Sequence, residues 1–249
     1  MALTRTDLQA RHLQRMLLQA GITADRAGVA VLSEAELQQS MLNCLQRNPN
    51  GKQVWVFAYG SLIWNPTFQF CDRRLVKVYG WHRRFCLQSP LGRGSIENPG
   101  LVLGLDRGGS CRGVAYRVDA ARARDELLPV WRREMMLQAY CPRWVRVRDR
   151  DCERWAIAFA ANRQHVHYAG KLSLERTVET IATARGEWGT CCDYLMHTVQ
   201  GLRAIGIVDA YLGELGNRVE ARLQQMPPSS SQTTVELGST DVKPSSFKA

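Results

Sequence analysis

Val54-Trp55-Val56-Phe57-Ala58-Tyr59 is an unbroken apolar run, and Gly60-Ser61 breaks it at once. The run is rich in β-branched and aromatic residues and has no polar face. It predicts a buried strand that ends in a tight loop. Further strand-like stretches follow at Arg74 to Val78, Arg84 to Gln88, Val102 to Leu105 and Arg112 to Val118. Turn residues separate them: Gly92 to Gly94, Pro99-Gly100, and Asp106 to Ser110. That spacing predicts a compact, mostly antiparallel sheet or barrel.

Helical texture flanks this region. Leu13, Met16, Leu17 and Ala20 follow the i, i+3, i+4, i+7 pattern, and Gly21 stops them. Leu37, Met41 and Leu45 form a second stripe, closed by Asn48, Pro49, Asn50 and Gly51. Residues 120–138 are helical in composition, with Pro129 a kink or join. Trp144 to Arg148 and Trp155 to Ala161 look like strands, and Leu174 to Ala184, Cys192 to Ile205 and Val208 to Met226 like helices. Regular βαβ alternation is missing, so the fold class is α+β: one sheet-based domain with helices around it. The expected organisation is an N-terminal helical extension over 1–50, a catalytic domain over 51–226 and a disordered Ser/Thr/Pro-rich tail over 227–249.

Of 249 residues, 45% are hydrophobic and 22% charged, which excludes a disordered chain and a disulfide scaffold. The net charge of +10 admits nucleic acid, a membrane surface or an anionic small molecule as partner, beside a merely solvated surface. No stretch of about 18 apolar residues spans a membrane, and no leader-like run opens the chain. No recognised nucleic-acid motif supports an RNA-binding module. Neither G-x-G-x-x-G nor Walker A is present, so nucleotide chemistry has no support. The eight cysteines form no C-x-x-C pair and His165 and His167 have no Cys at zinc spacing, so no metal site is expected. Scattered thiols fit a reducing cytoplasm.

Two segments carry chemistry. Tyr59-Gly60-Ser61-Leu62 ends a strand in Gly-Ser, which lets successive backbone N–H groups point one way. Such a nest binds a carboxylate or a developing oxyanion. Glu134 lies in Trp131-Arg132-Arg133-Glu134-Met135-Met136-Leu137, where apolar neighbours would desolvate it and raise its pKa. Pairing with a nearby arginine on a solvated helix is the plainer reading. Ser61 has no adjacent His or Asp in the sequence to activate it. Arg143, Arg146, Arg148 and Arg150 read as a solvated strand face, and His165 and His167 as strand neighbours.

Motifs in chain order sharpen this. Val56-Phe57-Ala58-Tyr59-Gly60-Ser61-Leu62-Ile63-Trp64-Asn65-Pro66-Thr67-Phe68 resembles the opening motif of the ChaC-type γ-glutamylcyclotransferases. Gly80-Trp81-His82-Arg83-Arg84-Phe85, Arg93-Gly94-Ser95 with Pro99-Gly100-Leu101-Val102-Leu103-Gly104-Leu105, Gly113 to Val118, Arg133-Glu134-Met135, Tyr168-Ala169-Gly170 and Asp193-Tyr194-Leu195 resemble later motifs of that family. The resemblance implies a small mixed β-barrel or sheet flanked by helices. It implies cytoplasmic cleavage of glutathione to 5-oxoproline and Cys-Gly, without metal or cofactor. It further implies that Val56, Phe57, Ala58, Tyr59, Gly60, Ser61 and Leu62 hold the γ-glutamyl group, with Tyr194 nearby, and that Glu134 is the general acid/base. Ala58 and Gly92 depart from residues common in the family, glycine and histidine respectively, which bears on substrate preference. Two other readings stand beside this one: a cyclotransferase for other γ-glutamyl peptides or amines, and a non-enzymatic regulator of a cation-transport partner. Oligomeric state is not legible.

Overall fold

The structure, a computed structural model, describes residues 4–6 and 31–226. The expected helix through Leu13 to Ala20 and the expected tail lie outside the described residues. Strands β1 (Val54–Ala58), β2 (Asp72–Ser89), β3 (Gly100–Val118), β4 (Tyr140–Arg148) and β5 (Glu153–Ala161) close into a barrel in the order β1-β3-β2-β4-β5. β1 meets β5 in parallel at Val56 and Ile157, while the other neighbours in the ring run antiparallel. The sheet is therefore mixed, and every residue of β1 is buried. That is why β1 reads as a continuous apolar run rather than an alternating one. Phe57, Phe85, Leu103, Leu105, Ile157 and Phe159 are all buried in the core.

One sequence reading needs correction. The four middle strand-like stretches are two long strands, and Asp106 to Ser110 continues β3 instead of turning. The reason is a glycine bulge. Tyr79 pairs with Ser110 and Trp81 with Arg107, leaving Gly80 opposite Gly108 and Gly109. All three glycines have positive φ (78°, 102° and 66°), so the ladder bends there without breaking. The real reversal is the 90–99 loop. There a Cβ on Gly94 would sit 1.9 Å from the Gly100 amide nitrogen, so the two backbones cross at a distance only glycine permits.

Helix α1 (Glu34–Gln46) starts at a Ser33–Glu36 capping box and buries Leu37, Met41 and Cys44 in the main core. Short helix α2 (Ser61–Trp64) follows β1 directly. Helix α3 (Ala123–Glu134) packs the Trp131 ring edge-on against Phe159 at 5.1 Å. Pro129 lies inside it, and the helix ends at Glu134, earlier than composition suggested. The chain then turns through Gln138, whose φ of 56° is rare for a residue with a side chain. α4 (Leu174–Thr183), a hairpin of β6 (Arg185–Gly186) and β7 (Gly189–Thr190), α5 (Cys191–Ala204) and α6 (Ala210–Gln224) complete the fold. Thr190 and Asp193 form a capping box at the start of α5, which fixes the outset of the helix that carries Tyr194. No helix among the described residues is long and apolar enough to cross a membrane.

Candidate active site

A cleft opens between the end of β1, the C-terminus of α3 and the first turn of α5. Its inner part is walled by Tyr59, Gly60, Ser61, Leu62, Glu134 and Tyr194. Ser61, Glu134, Tyr140 and Tyr194 also face the outer part, which widens toward Arg93, Arg133 and Trp188. The structure therefore unites two segments that the sequence singles out separately, the Gly-Ser loop and Glu134. Val56, Phe57 and Ala58 do not line the cleft. They sit inside β1, paired with Tyr116, Ala115 and Val114, and each is fully buried. Their part is to carry the loop, because a strand fixed on both sides fixes the residue that follows it.

Gly60 is the N-cap of α2, and the Ile63 amide donates to its carbonyl at 2.9 Å. The amides of Ser61 and Leu62 open the helix, where N–H groups have no acceptor within it. They are the donors a nest needs. Behind the loop stands Arg83, whose side chain is only 3% exposed. It donates from Nη1 to the Tyr59 carbonyl at 2.7 Å, from Nη2 to the Arg112 carbonyl, and pairs through Nε with Asp209 at 3.1 Å. With the Tyr59 carbonyl held on that side, the Gly60 N–H of the same trans peptide must point away from Arg83.

Glu134 is the last residue of α3, and its side chain is 11% exposed. Burial pushes its carboxyl above the ordinary carboxylate range, and the Arg133 guanidinium, with Nε at 3.2 Å from Oε1, opposes that. Its place at a helix C-terminus, the negative end of the dipole, acts in the same direction as burial. The plainer reading holds in part: Glu134 does pair with an arginine, but the pair is largely shielded from solvent rather than on a solvated face. Arg133 also donates to the Asn65 carbonyl at 2.9 Å and to the Ser61 hydroxyl, and so ties α3 to α2.

Three phenols surround the carboxylate. Tyr59 donates to the Phe159 carbonyl at 2.7 Å, and Tyr140 to the Leu103 carbonyl at 2.8 Å. Tyr194 accepts from the Leu103 amide at 3.4 Å. Burial, reinforced by the charge of Glu134, raises all three, and Tyr194 reaches about 12. They stay neutral near pH 7; Tyr59 and Tyr140 spend their protons on backbone carbonyls, while Tyr194, an acceptor from Leu103, keeps its proton for the cleft. Arg93, 6% exposed, lies across the Tyr194 ring at 5.7 Å and donates to the Thr190 carbonyl at 3.3 Å.

Several cleft residues escaped the sequence reading. Arg93 and Arg133 stood inside quoted motifs without a role. Tyr140 and Trp188 carried no local signal, because only the barrel and the β6–β7 hairpin bring them to the cleft. His165 and His167 are corrected: they lie in a turn beyond β5 rather than on a strand, and His167 faces the outer cleft. Arg143, Arg146, Arg148 and Arg150 are exposed, in keeping with a solvated face. All eight cysteines are free thiols, and among the described residues no group of His, Cys, Asp and Glu is placed to hold a metal ion.

The family model described as ChaC-like protein matches residues 54–222. A glutathione-specific γ-glutamylcyclotransferase of Escherichia coli (strain K12) is 37% identical over 178 residues, covering 71% of this chain and 77% of that protein. Glutathione-specific γ-glutamylcyclotransferase 1 of Homo sapiens is 32% identical over 166 residues, covering 64% of this chain and 75% of that protein. Among solved structures, a γ-glutamyl cyclotransferase specific to glutathione from yeast superposes with a TM-score of 0.62. It is 21% identical, with 68% of this chain and 96% of that one covered, and so speaks for the fold alone.

Proposed function

The chain belongs to the ChaC-like family, and from that membership we propose that it is a γ-glutamylcyclotransferase that cleaves glutathione to 5-oxoproline and Cys-Gly in the cytoplasm. The observation that carries the reading is Glu134, a largely buried carboxylate that lines the same cleft as the Gly60–Leu62 loop.

The reaction follows from the substrate's own geometry. The free α-amine of the γ-glutamyl group attacks the γ-carbonyl of the same residue and closes a five-membered ring. One C–N bond forms and the amide C–N bond to cysteine breaks. The reaction so written consumes no cofactor. Because nucleophile and electrophile share one molecule, holding them in register removes much of the barrier; well-oriented systems gain about 7–11 kcal/mol.

The amine must first lose a proton. An α-ammonium has a pKa near ~8 and an ordinary Glu near ~4.3, a gap that makes an exposed Glu a poor base. Burial of Glu134 narrows the gap. The same carboxyl returns that proton to the departing cysteine amine, then takes the second proton from the ring nitrogen and passes it to the freed amine, which leaves as an ammonium, so the proton count balances and the enzyme ends as it began. The amides of the Gly60–Leu62 loop serve the substrate α-carboxylate or the tetrahedral oxyanion. The Tyr194 hydroxyl and the Arg93 and Arg133 guanidiniums add donors for the negative ends of the peptide.

The test compares turnover of glutathione with that of γ-glutamyl-alanine. A kcat/KM for glutathione at least tenfold higher supports the glutathione-specific reading. Equal turnover of both would establish a broader γ-glutamylcyclotransferase instead, and turnover of neither would contradict the proposed chemistry.

A further inference from the structure

The outer cleft contains a residue pair that the reaction scheme above does not use. A Cβ added to Gly92 would lie 2.3 Å from Trp188 Cε3 and 2.6 Å from Cζ3. The Trp188 indole therefore fills the volume that any side chain at position 92 would claim. The backbone that carries it is pinned: the main-chain N–H of Trp188 donates to the Gly92 carbonyl at 2.9 Å. It sits at the tip of the β6–β7 hairpin, between the paired residues Gly186 and Gly189. Gly186 in turn approaches the carbonyls of Gly92 and Gly94 so closely that a Cβ there would lie within 2.5–2.6 Å of both oxygens.

The indole does not belong to the barrel core. It joins a separate apolar cluster with Met136, Leu91 and Leu137. All four face the outer cleft, and none faces the inner part where Glu134 meets the Gly60–Leu62 loop. A substrate with its γ-glutamyl end at the inner wall must place its leaving amine in this outer chamber.

We propose that Trp188, seated on Gly92, is the specificity-determining residue that sets the size of the leaving-group chamber. It restricts the chamber to compact peptide amines and keeps bulky aromatic substituents out. The inference rests on the γ-glutamylcyclotransferase reading and deepens it. Trp188 acts on which amine departs, while ring closure remains the work of the inner wall. A rigid apolar wall discriminates by volume, so its removal should relax selectivity toward larger leaving groups.

The experiment measures kcat/KM for glutathione and for S-benzylglutathione, which share the γ-glutamyl end and differ on the leaving side, where a bulky thioether replaces the thiol; the loss of the thiol is common to wild type and variant and cancels in the comparison between them. The readout is the ratio of the two within one preparation, so the fraction of active enzyme cancels. For Trp188→Ala the ratio of S-benzylglutathione to glutathione should rise at least fivefold over wild type. Trp188→Phe, a milder change should the alanine variant not fold, should raise it by a smaller factor of at least twofold. A smaller rise in the variant measured, or an equal loss with both substrates, overturns the proposal. Turnover of neither substrate by the wild-type protein would overturn the enzymatic reading as well, which an unmoved ratio would not.

Discussion

The carboxylate of Glu134 lies 3.2 Å from the guanidinium of Arg133, its neighbour in the chain. Two forces meet in that pair. Burial raises the Glu134 pKa and Arg133 lowers it. The basic form is present above the raised pKa and is lost as pH falls through it. The acid limb of the kcat/KM profile should therefore lie above the ordinary carboxylate range. Arg133→Leu leaves burial unopposed, so the limb should move to higher pH. A limb that stays fixed or moves down in this variant would contradict the assignment of Glu134 as the titrating base.

Tyr194 reaches a pKa of about 12 and so remains a hydroxyl donor throughout the neutral range. Tyr194→Phe removes the hydroxyl and keeps the ring that packs edge-on against Phe85 at 5.9 Å. The loss of one hydrogen bond to an anionic substrate amounts to about 1.5–3 kcal/mol, or roughly 10- to 150-fold in kcat/KM. Steady-state kinetics with glutathione measure it. A change below threefold would remove Tyr194 from the binding account.

Arg83 is a buried cation that donates to the Tyr59 and Arg112 carbonyls and forms an ion pair with Asp209, Nε to carboxylate at 3.1 Å. Breaking a buried pair leaves the partner charge uncompensated and costs about 3–5 kcal/mol. Arg83→Met should lower unfolding stability by that order in urea titration. A loss under about 1 kcal/mol, small against that figure, would mean that Asp209 is adequately solvated without it.

The crossing of the 90–99 loop is intolerant of a side chain. The Gly94 Cβ position falls 1.9 Å from the Gly100 nitrogen and 2.6 Å from the Asn98 carbonyl oxygen, both backbone atoms that cannot swing aside. Gly94→Ala should destabilise the fold by about 1–3 kcal/mol or more. Thermal unfolding measures this, and an unchanged midpoint would show that the loop relaxes freely.

Local pattern made β1 legible, because a strand buried on both faces leaves an unbroken apolar run. It also singled out Glu134 among Trp131, Met135 and Met136, although pattern alone favoured a solvated helix charge and the acid/base role rests on the family resemblance. The extent of β2 and β3 was not legible. Gly108 and Gly109 read as turn residues and Gly80 as the start of a separate strand, and only the pairing across the two strands shows that the three form one bulge. Arg83 and Trp188 were silent for another reason. Periodicity tells which face a residue presents but not what stands opposite, and their partners lie far along the chain: Asp209 for Arg83 and Gly92 for Trp188. The cleft is built from such long-range neighbours. Its reacting ends were visible in short motifs, while the walls that size and support it were not.

The central claim is that Glu134 moves the proton that closes the ring. The direct measurement is mass spectrometric quantitation of 5-oxoproline and Cys-Gly released from reduced glutathione by wild type and by Glu134→Gln, each first shown to be folded by circular dichroism. Wild type should release the two products in equal amounts. The variant, isosteric but unable to accept the proton, should be slower by roughly 10²–10⁴-fold, the range for loss of a general acid/base. Near-wild-type release by Glu134→Gln would contradict the account.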